Sequence, residues 1–323
     1  MNQDCPYGLE ILIADGESND NTLLIIQSLS CETGITLSVF SNPQKIVSTG
    51  LNILIPKAIG EVIIRVDGHC VIGPDYVANC VHHLQQNGVD GVGGPMRTIG
   101  EDFTSQGIAL AMSSKFGVGN SSFRTETGQT KLVDTVPFPA YTREIIQRVG
   151  LYDEELVRNQ DDEYNYRIRE HGGKVLLAED VCSTYFSRGS LAKLWKQYFQ
   201  YGYWKVRVLQ KHPKQMSLRQ FAPLVFVVSL LLSLVFTLVV PWGWIPLVAI
   251  LGLYLLVNLG VSLFYGYKHG WRFLGLLPAT FAVIHLSYGT GFLTGLFKFF
   301  NRWGDKTGKV PILKEKPQTQ NNI

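Results

Sequence analysis

Cysteine is sparse in this chain. Cys5, Cys31, Cys70, Cys80 and Cys182 are odd in number and form no C-x-x-C pair, which argues against a disulfide framework or a structural zinc site and fits a reducing compartment. The N-terminus, Met1-Asn2-Gln3-Asp4-Cys5-Pro6, has no basic stretch followed by an apolar one, so no secretory signal is expected. The formal net charge of +3 is too small to argue for a nucleic-acid partner. No internal repeat or low-complexity tract occurs. One absence is local: from Phe221 to Phe297 there is no Asp or Glu, and the only Lys or Arg are Lys268 and Arg272. Such a stretch has room for bilayer-crossing helices, each needing about 20 apolar residues.

Up to residue 189 the composition is that of a soluble domain. Short apolar runs, Glu10 to Ala14, Thr36 to Phe40 and Glu61 to Asp67, alternate with helical patterns over Asn21 to Leu29, Lys45 to Ile59 and Asp75 to Gln86. This order predicts an α/β fold, Rossmann-like, with a mostly parallel sheet flanked by helices. Residues 190–220 read as an amphipathic interfacial segment. Leu191, Leu194, Trp195, Tyr198 and Gly202 share a helical face, and Lys193, Lys196, Lys205, Arg207, Lys211, Lys214 and Arg219 occur with no acid among them, a pattern suited to anionic lipid. Residues 221–300 hold two to three apolar spans, Pro223 to Val240, Ile245 to Phe264 and Phe273 to Phe300, followed by a basic polar tail over 301–323. Three crossings would put Lys298, Arg302, Lys306 and Lys309 outside, against the positive-inside preference; a re-entrant third span would not.

The chemistry concentrates in two places. Glu61-Val62-Ile63-Ile64-Arg65-Val66-Asp67-Gly68-His69 reads as a buried strand ending in an acid and a histidine. Ligands of open α/β sheets sit at the carboxyl ends of strands, where Asp67 and His69 would suit a divalent cation carrying a diphosphate; a plain polar turn is the alternative. Asp15 closes an earlier strand and would share that rim, or would merely cap its own turn. The second place is Arg158-Asn159-Gln160-Asp161-Asp162-Glu163, three successive acids opening an amphipathic helix. One of them could deprotonate a hydroxyl, although acids are also favourable at a helix N-terminus for its dipole.

Val66-Asp67-Gly68-His69, Asn159-Gln160-Asp161-Asp162-Glu163 and Gln200-Tyr201-Gly202-Tyr203-Trp204, in that order, resemble three motifs of family 2 glycosyltransferases, most closely the ExoA-like enzymes of succinoglycan and exopolysaccharide synthesis. Asp15-Gly16-Glu17-Ser18-Asn19-Asp20, Asn42-Pro43, Gly93-Gly94-Pro95-Met96-Arg97 and Phe116-Gly117-Val118-Gly119-Asn120-Ser121 support it. The resemblance implies a GT-A fold, a divalent cation (Mn2+ or Mg2+), and inverting transfer of a sugar from a nucleotide-sugar donor, a UDP-hexose. It assigns Asp15 and Asp67 to the donor, Asp67 and His69 to the metal, with His69 replacing the second acid of a D-x-D motif, and Asp161 to the catalytic base. Gln200 and Trp204 match the Q-x-x-R-W motif beside the acceptor; Trp204 could equally be a bilayer anchor. Tyr203 replaces the arginine, which favours single-sugar addition over processive synthesis, since Tyr cannot clamp a diphosphate.

The family's first strand and its P-x-x-N-E turn are missing ahead of Asp15, and the expectation is an N-terminally truncated sheet. The expected enzyme is multi-pass in the cell membrane with its catalytic domain in the cytoplasm. Its acceptor would be a lipid-linked, polyprenyl saccharide, and membrane lipid and other polysaccharide-assembly enzymes would be its neighbours. Rival expectations are a transferase acting on polyprenyl phosphate itself and a non-catalytic relative. A transporter is disfavoured because the spans carry no acid.

Overall fold

The computed structural model describes residues 3–33, 37–119, 121–125 and 128–313. Strand β1 (Ile11–Asp15) leads through α1 (Thr22–Thr33) to β2 (Leu37–Ser41), and α2 (Val47–Leu54) leads to β3 (Val62–Ile64) and β4 (Cys70–Ile72). Helix α3 (Tyr76–Gln86), β5 (Gly91–Gly93), β6 (Met96–Ile99) and α4 (Phe103–Met112) follow. After the single turns α5 (Lys115–Val118) and α6 (Ser122–Thr125) come β7 (Lys131–Leu132), β8 (Ala140–Thr142), α7 (Arg143–Val149), α8 (Gln160–Glu170), β9 (Val175–Leu177) and β10 (Ser183–Phe186). Four long helices complete the chain: α9 (Leu191–Lys211), α10 (Ala222–Val239), α11 (Trp244–His269) and α12 (Leu277–Lys298). Capping is read easily from the sequence. Asp20 accepts from the Thr22 amide at 3.0 Å where α1 begins, and Ser190 accepts from the Lys193 amide at the start of α9, each satisfying a donor the helix leaves unpaired.

The α/β order holds, but the principal sheet is mixed. Its order is β3-β8-β5-β9-β7. β3, β5 and β9 share one direction, while β8 and β7 run against them. β8 turns directly into α7, which Thr142 caps. A second sheet, β4-β10-β6, lies beside it. β1 and β2 pair in parallel as a separate ribbon, and among the described residues β1 is not bonded to β3. Accordingly Val62 to Ile64 are half-buried, whereas Val175 to Leu177 are fully covered.

Residues on both sides of position 189 share one core. Tyr76, Val92, Ile108 and Ala140 of the sheet domain pack with Leu194 and Tyr198 of α9 and with Phe273, Leu277, Phe281 and Ile284 at and beyond the start of α12. Each such buried side chain contributes about 1.5–3 kcal/mol. The glycines that interrupt the third apolar span have a packing purpose. A Cβ on Gly291 would meet the Phe199 carbonyl at 2.1 Å, and one on Gly202 the Tyr288 carbonyl at 2.0 Å, so α9 and α12 touch backbone to backbone. The two ends of α12 both meet the sheet domain or α9: Arg272, just before it, donates to Gln106 of α4 at 3.0 Å, and Phe299, just after it, accepts from Gln210 at 2.8 Å. The segment beyond returns to the same body, with Leu151 donating to the Pro311 carbonyl and Leu313 entering a core with Tyr152 and Ile168. In contrast, α10 and α11 are largely exposed apolar surface.

The basic residues of α9 do not form one solvated face. Lys205, Arg207 and Lys211 turn inward, the guanidinium of Arg207 being 0% exposed. Trp195, expected on the apolar face with Leu194 and Tyr198, points outward.

Candidate active site

A cavity of about 1050 Å³ opens between the sheet domain, α9 and the long helices. Its volume is at the upper end of the roughly 300–1,000 Å³ usual for ligand sites, room for more than one substrate. Asp67, His69, Asp161 and Gln200 all line it.

The strand bearing Asp67 ends earlier than its apolar run. The regular strand stops at Ile64, with one further bond from the Arg65 amide to the Pro139 carbonyl at 3.0 Å, and the Arg65 side chain turns into the interior. An arginine buried there needs carboxylates, and it finds two. Its Nε and Nη2 donate to the two oxygens of Asp67 at 2.8 and 2.9 Å, and its Nη1 donates to Asp161. Burial opposes the charge of Arg65, but Asp67 outweighs it and its pKa is raised. Asp67 and Asp161, far apart in sequence, therefore meet on one guanidinium, and both keep a face to the cavity with side chains 18% and 32% exposed.

Asp161 sits in the first turn of α8. That helix starts at Asn159, whose φ of +62° lies in the left-handed region that Asn tolerates. Asn159 donates to the Tyr201 carbonyl at 2.9 Å, which ties the start of α8 to α9. The three successive acids diverge: Asp161 faces Arg65, Asp162 pairs with Lys205 at 2.9 Å, and Glu163 is buried against Arg167 and His212. Gln160 is buried beside them in the cavity wall, and among the described residues its Oε1 has no hydrogen-bond partner, an acceptor left for whatever fills the space.

His69 stands at the rim with its ring edge-on to Tyr185, centroids 5.0 Å apart. Desolvation holds its imidazole below the ordinary value against the pull of Asp67, and Arg188, Arg65 and Arg158 act in the same direction as desolvation. The neutral ring is the form that binds metal. Among the described residues no three His, Cys, Asp or Glu cluster as a cation cage. Asp67 and His69 could offer two donors at most, with both Asp67 oxygens already accepting from Arg65. That fits a hard cation arriving with a diphosphate, which commonly takes one or two protein ligands and fills the rest with phosphate oxygens and water.

Two expected residues stand apart from the wall. Asp15 is absent from the cavity lining; its carboxylate accepts from the Ser18 hydroxyl at 2.6 Å and the Ser18 amide at 3.0 Å, and these bonds lower its pKa. Trp204 is absent too, packing against Tyr203 and Phe299. Tyr203 likewise faces Phe199 and Phe299. Gln200 does reach the cavity, and its Oε1 accepts from Nε of Arg158 at 3.1 Å. Asn120, in a quoted stretch, lies outside the described residues. Sequence reasoning passed over Arg65, although a lone charge inside an apolar run is a signal of a buried partner. It also passed over Arg124 and Arg188, which line the same cavity.

Comparison with known proteins adds to this geometry. Glycosyl transferase family 2 matches residues 1–150. The succinoglycan biosynthesis protein ExoA of Rhizobium meliloti is 30% identical over 317 residues, covering 92% of this chain and 88% of the relative. The dolichyl N-acetyl-alpha-D-glucosaminyl phosphate 3-beta-D-2,3-diacetamido-2,3-dideoxy-beta-D-glucuronosyltransferase of Methanococcus voltae is 26% identical over 306 residues, covering 92% and 91%. Among solved structures, S. aureus TarS 1–349 in complex with UDP-GlcNAc aligns with a TM-score of 0.46 at 14% identity, over 98% of this chain and 91% of that one.

Proposed function

Since the chain belongs to glycosyl transferase family 2, we propose that this glycosyltransferase is a membrane-bound, inverting enzyme that moves a sugar from a UDP-hexose to a lipid-linked saccharide in exopolysaccharide or cell-surface glycan synthesis. The observation that carries this reading is the meeting of Asp67 and Asp161 on Arg65 at one cavity wall. Asp161, a carboxylate facing the cavity, takes the proton of the acceptor hydroxyl as it attacks the anomeric carbon. Attack from the side opposite the diphosphate inverts the configuration there. Asp67 and His69 would hold Mn2+ or Mg2+, which supplies charge neutralisation for the leaving diphosphate. Arg65 fixes Asp67 and Asp161 relative to each other, so donor and base are positioned by a single side chain. Gln200 borders the acceptor side. The archaeal relative's name specifies a lipid-phosphate-linked sugar as acceptor, which supports the same class here.

We read α10 and α11 as a crossing hairpin and α12 as a helix held on the catalytic side. The contacts at both ends of α12, and the return of residues 302–313 to the sheet domain, support this. Lys298, Arg302, Lys306 and Lys309 then stay with the cytoplasmic catalytic domain, in keeping with the positive-inside preference. In intact cells, an impermeant maleimide should label Trp242→Cys and spare Lys306→Cys; the reverse pattern rejects this topology.

Radiolabelled sugar transfer in membranes tests the function. Wild-type chain should transfer to a polyprenyl-diphosphate sugar in a cation-dependent manner, and Asp161→Asn should not. Equal transfer by Asp161→Asn means that another group is the base.

A further inference from the structure

The acids of the cavity do not match all the positive charge around it. Arg124, Arg158 and Arg188 line it, half-buried, and each is anchored by a neutral group: Arg124 donates to Thr98 Oγ1 at 3.0 Å, Arg158 to Gln200 and Arg188 to Gln197 Oε1 at 3.2 Å. The acids of the cavity are already engaged, Asp67 and Asp161 by Arg65, Asp162 by Lys205 and Asp134 by Arg219. Among the described residues, none of the three guanidiniums makes an ion pair with a carboxylate. Tyr185 joins them to the metal side. Its ring faces His69, lies 5.3 Å from the Arg124 guanidinium, and its hydroxyl accepts from Gln197, the residue that holds Arg188. Holding three cations together without an acid is unfavourable unless an anion is to be received, and guanidinium forks match phosphate oxygens.

The same cavity also has an apolar end. Phe226 of α10, Tyr254 of α11, and Ile284 and Tyr288 of α12 line it. Tyr254 stacks on Phe226 at 4.5 Å and bonds to His285, which in turn meets the Phe116 carbonyl at 2.8 Å. The crevice is thus braced against the catalytic body.

We propose that the cavity has a second anion site, formed by Arg124, Arg158 and Arg188, which binds the phosphate or diphosphate of a polyprenyl acceptor whose hydrocarbon lies between α10, α11 and α12. It deepens the proposed lipid-linked acceptor, and rests on that reading for its place in the reaction. It separates the two substrates by chemistry: the donor's diphosphate goes to the acidic, metal-binding side and the acceptor's to the arginine side. The acceptor sugar is then left between them, beside Asp161.

The test measures binding, not turnover. Full-length chain in lipid nanodiscs, saturated with UDP and Mn2+, is titrated with farnesyl diphosphate, inorganic pyrophosphate and farnesol. Farnesyl diphosphate should bind without displacing UDP, and pyrophosphate and farnesol each at least about tenfold more weakly, since each lacks one half of the contacts. The Arg124→Gln/Arg188→Gln double variant should weaken farnesyl diphosphate by about tenfold or more and retain UDP binding, which reports that it is folded. Displacement of UDP by farnesyl diphosphate, equal binding of pyrophosphate, or undiminished binding by the double variant overturns the site. Transfer assays keep the two ideas apart. If the wild type glycosylates only soluble saccharides, the lipid-linked reading falls while UDP-independent farnesyl diphosphate binding upholds the site. If the double variant transfers to a polyprenyl acceptor with wild-type KM, the site falls and the reading stands.

Discussion

Two ion clusters flank helix α8, and they differ in their charge balance. Behind the cavity, Arg207, Lys211 and Arg302 face Asp153, Glu155 and Asp305 in a network of cross-bonds, three cations to three acids. This cluster joins the loop before α8, helix α9 and the segment after α12, and much of it is sealed from water. At one wall of the cavity, Arg65 serves Asp67 and Asp161 at once, and that trio keeps one negative charge in surplus. The balanced cluster has nothing left to bind and acts as a strut. On the proposed function the unbalanced one would take a cation, and Asp161, its more exposed carboxylate, a proton. Surplus charge in a cleft marks chemistry more reliably than the presence of charged residues as such.

The contrast can be broken from either side. Asp161→Asn should lower transfer by about 10²–10⁴-fold, the usual contribution of a general base, with little change in the melting temperature of the purified protein. Arg207→Met should do the opposite. It takes one of three cations from Glu155, which keeps Lys211 and Arg302, a change of about 1–3 kcal/mol in stability, visible as a lower urea midpoint, while any protein that remains folded keeps its affinity for UDP. If Arg207→Met is as stable as wild type, the strut reading of that cluster is wrong. Asp67→Asn, or chelation of divalent ions, should weaken UDP binding by about tenfold or more, and the two effects should not add.

Acid titration sharpens the same distinction. Burial tends to raise the pKa of Glu155, but hydrogen bonds from Arg207 and Lys211 outweigh it and bring it down to about 2. A carboxyl with a depressed folded-state pKa stabilises fully above its ordinary value, near 4.5, and loses that contribution as pH falls toward 2. Stability should therefore decline between about pH 4.5 and 2, and Glu155→Gln should flatten that decline in urea unfolding measured across the range. The smallest effect is expected at Gln160. Its unpartnered Oε1 would accept one hydrogen bond from a bound sugar, so Gln160→Leu should raise KM for donor or acceptor by about threefold to tenfold and leave stability unchanged or slightly improved.

How much could be read in advance follows from what periodicity and motifs encode. That Asp67, His69 and Asp161 face one cavity was legible from local patterns, a β-branched run just before the first two and a run of acids around the third. Their convergence was expected from the order of the motifs, but the link through Arg65 was not, because only the mixed sheet brings Ile64 and the start of α8 to one place. Arg124, Arg158 and Arg188 lie in three separate loops or turns and share no spacing. The inward turn of Lys205, Arg207 and Lys211 was hidden for another reason. A helical pattern shows which residues share a face, but not that acids from the loop after α7 will be buried against it. Trp204 had a motif and an aromatic ring in its favour, yet the neighbouring Phe299 decides its position.

The packing of Phe273, Leu277, Phe281 and Ile284 into the sheet domain limits how this enzyme can be handled. A fragment that stops ahead of α10, the obvious cut for a water-soluble version, discards those four side chains and opens the floor beneath Tyr76 and Ile108. At about 1.5–3 kcal/mol each, the loss is comparable with the ~5–15 kcal/mol that holds an ordinary domain together. The sheet domain and the apolar helices share one core, so a version cut ahead of α10 should be less stable than the full chain.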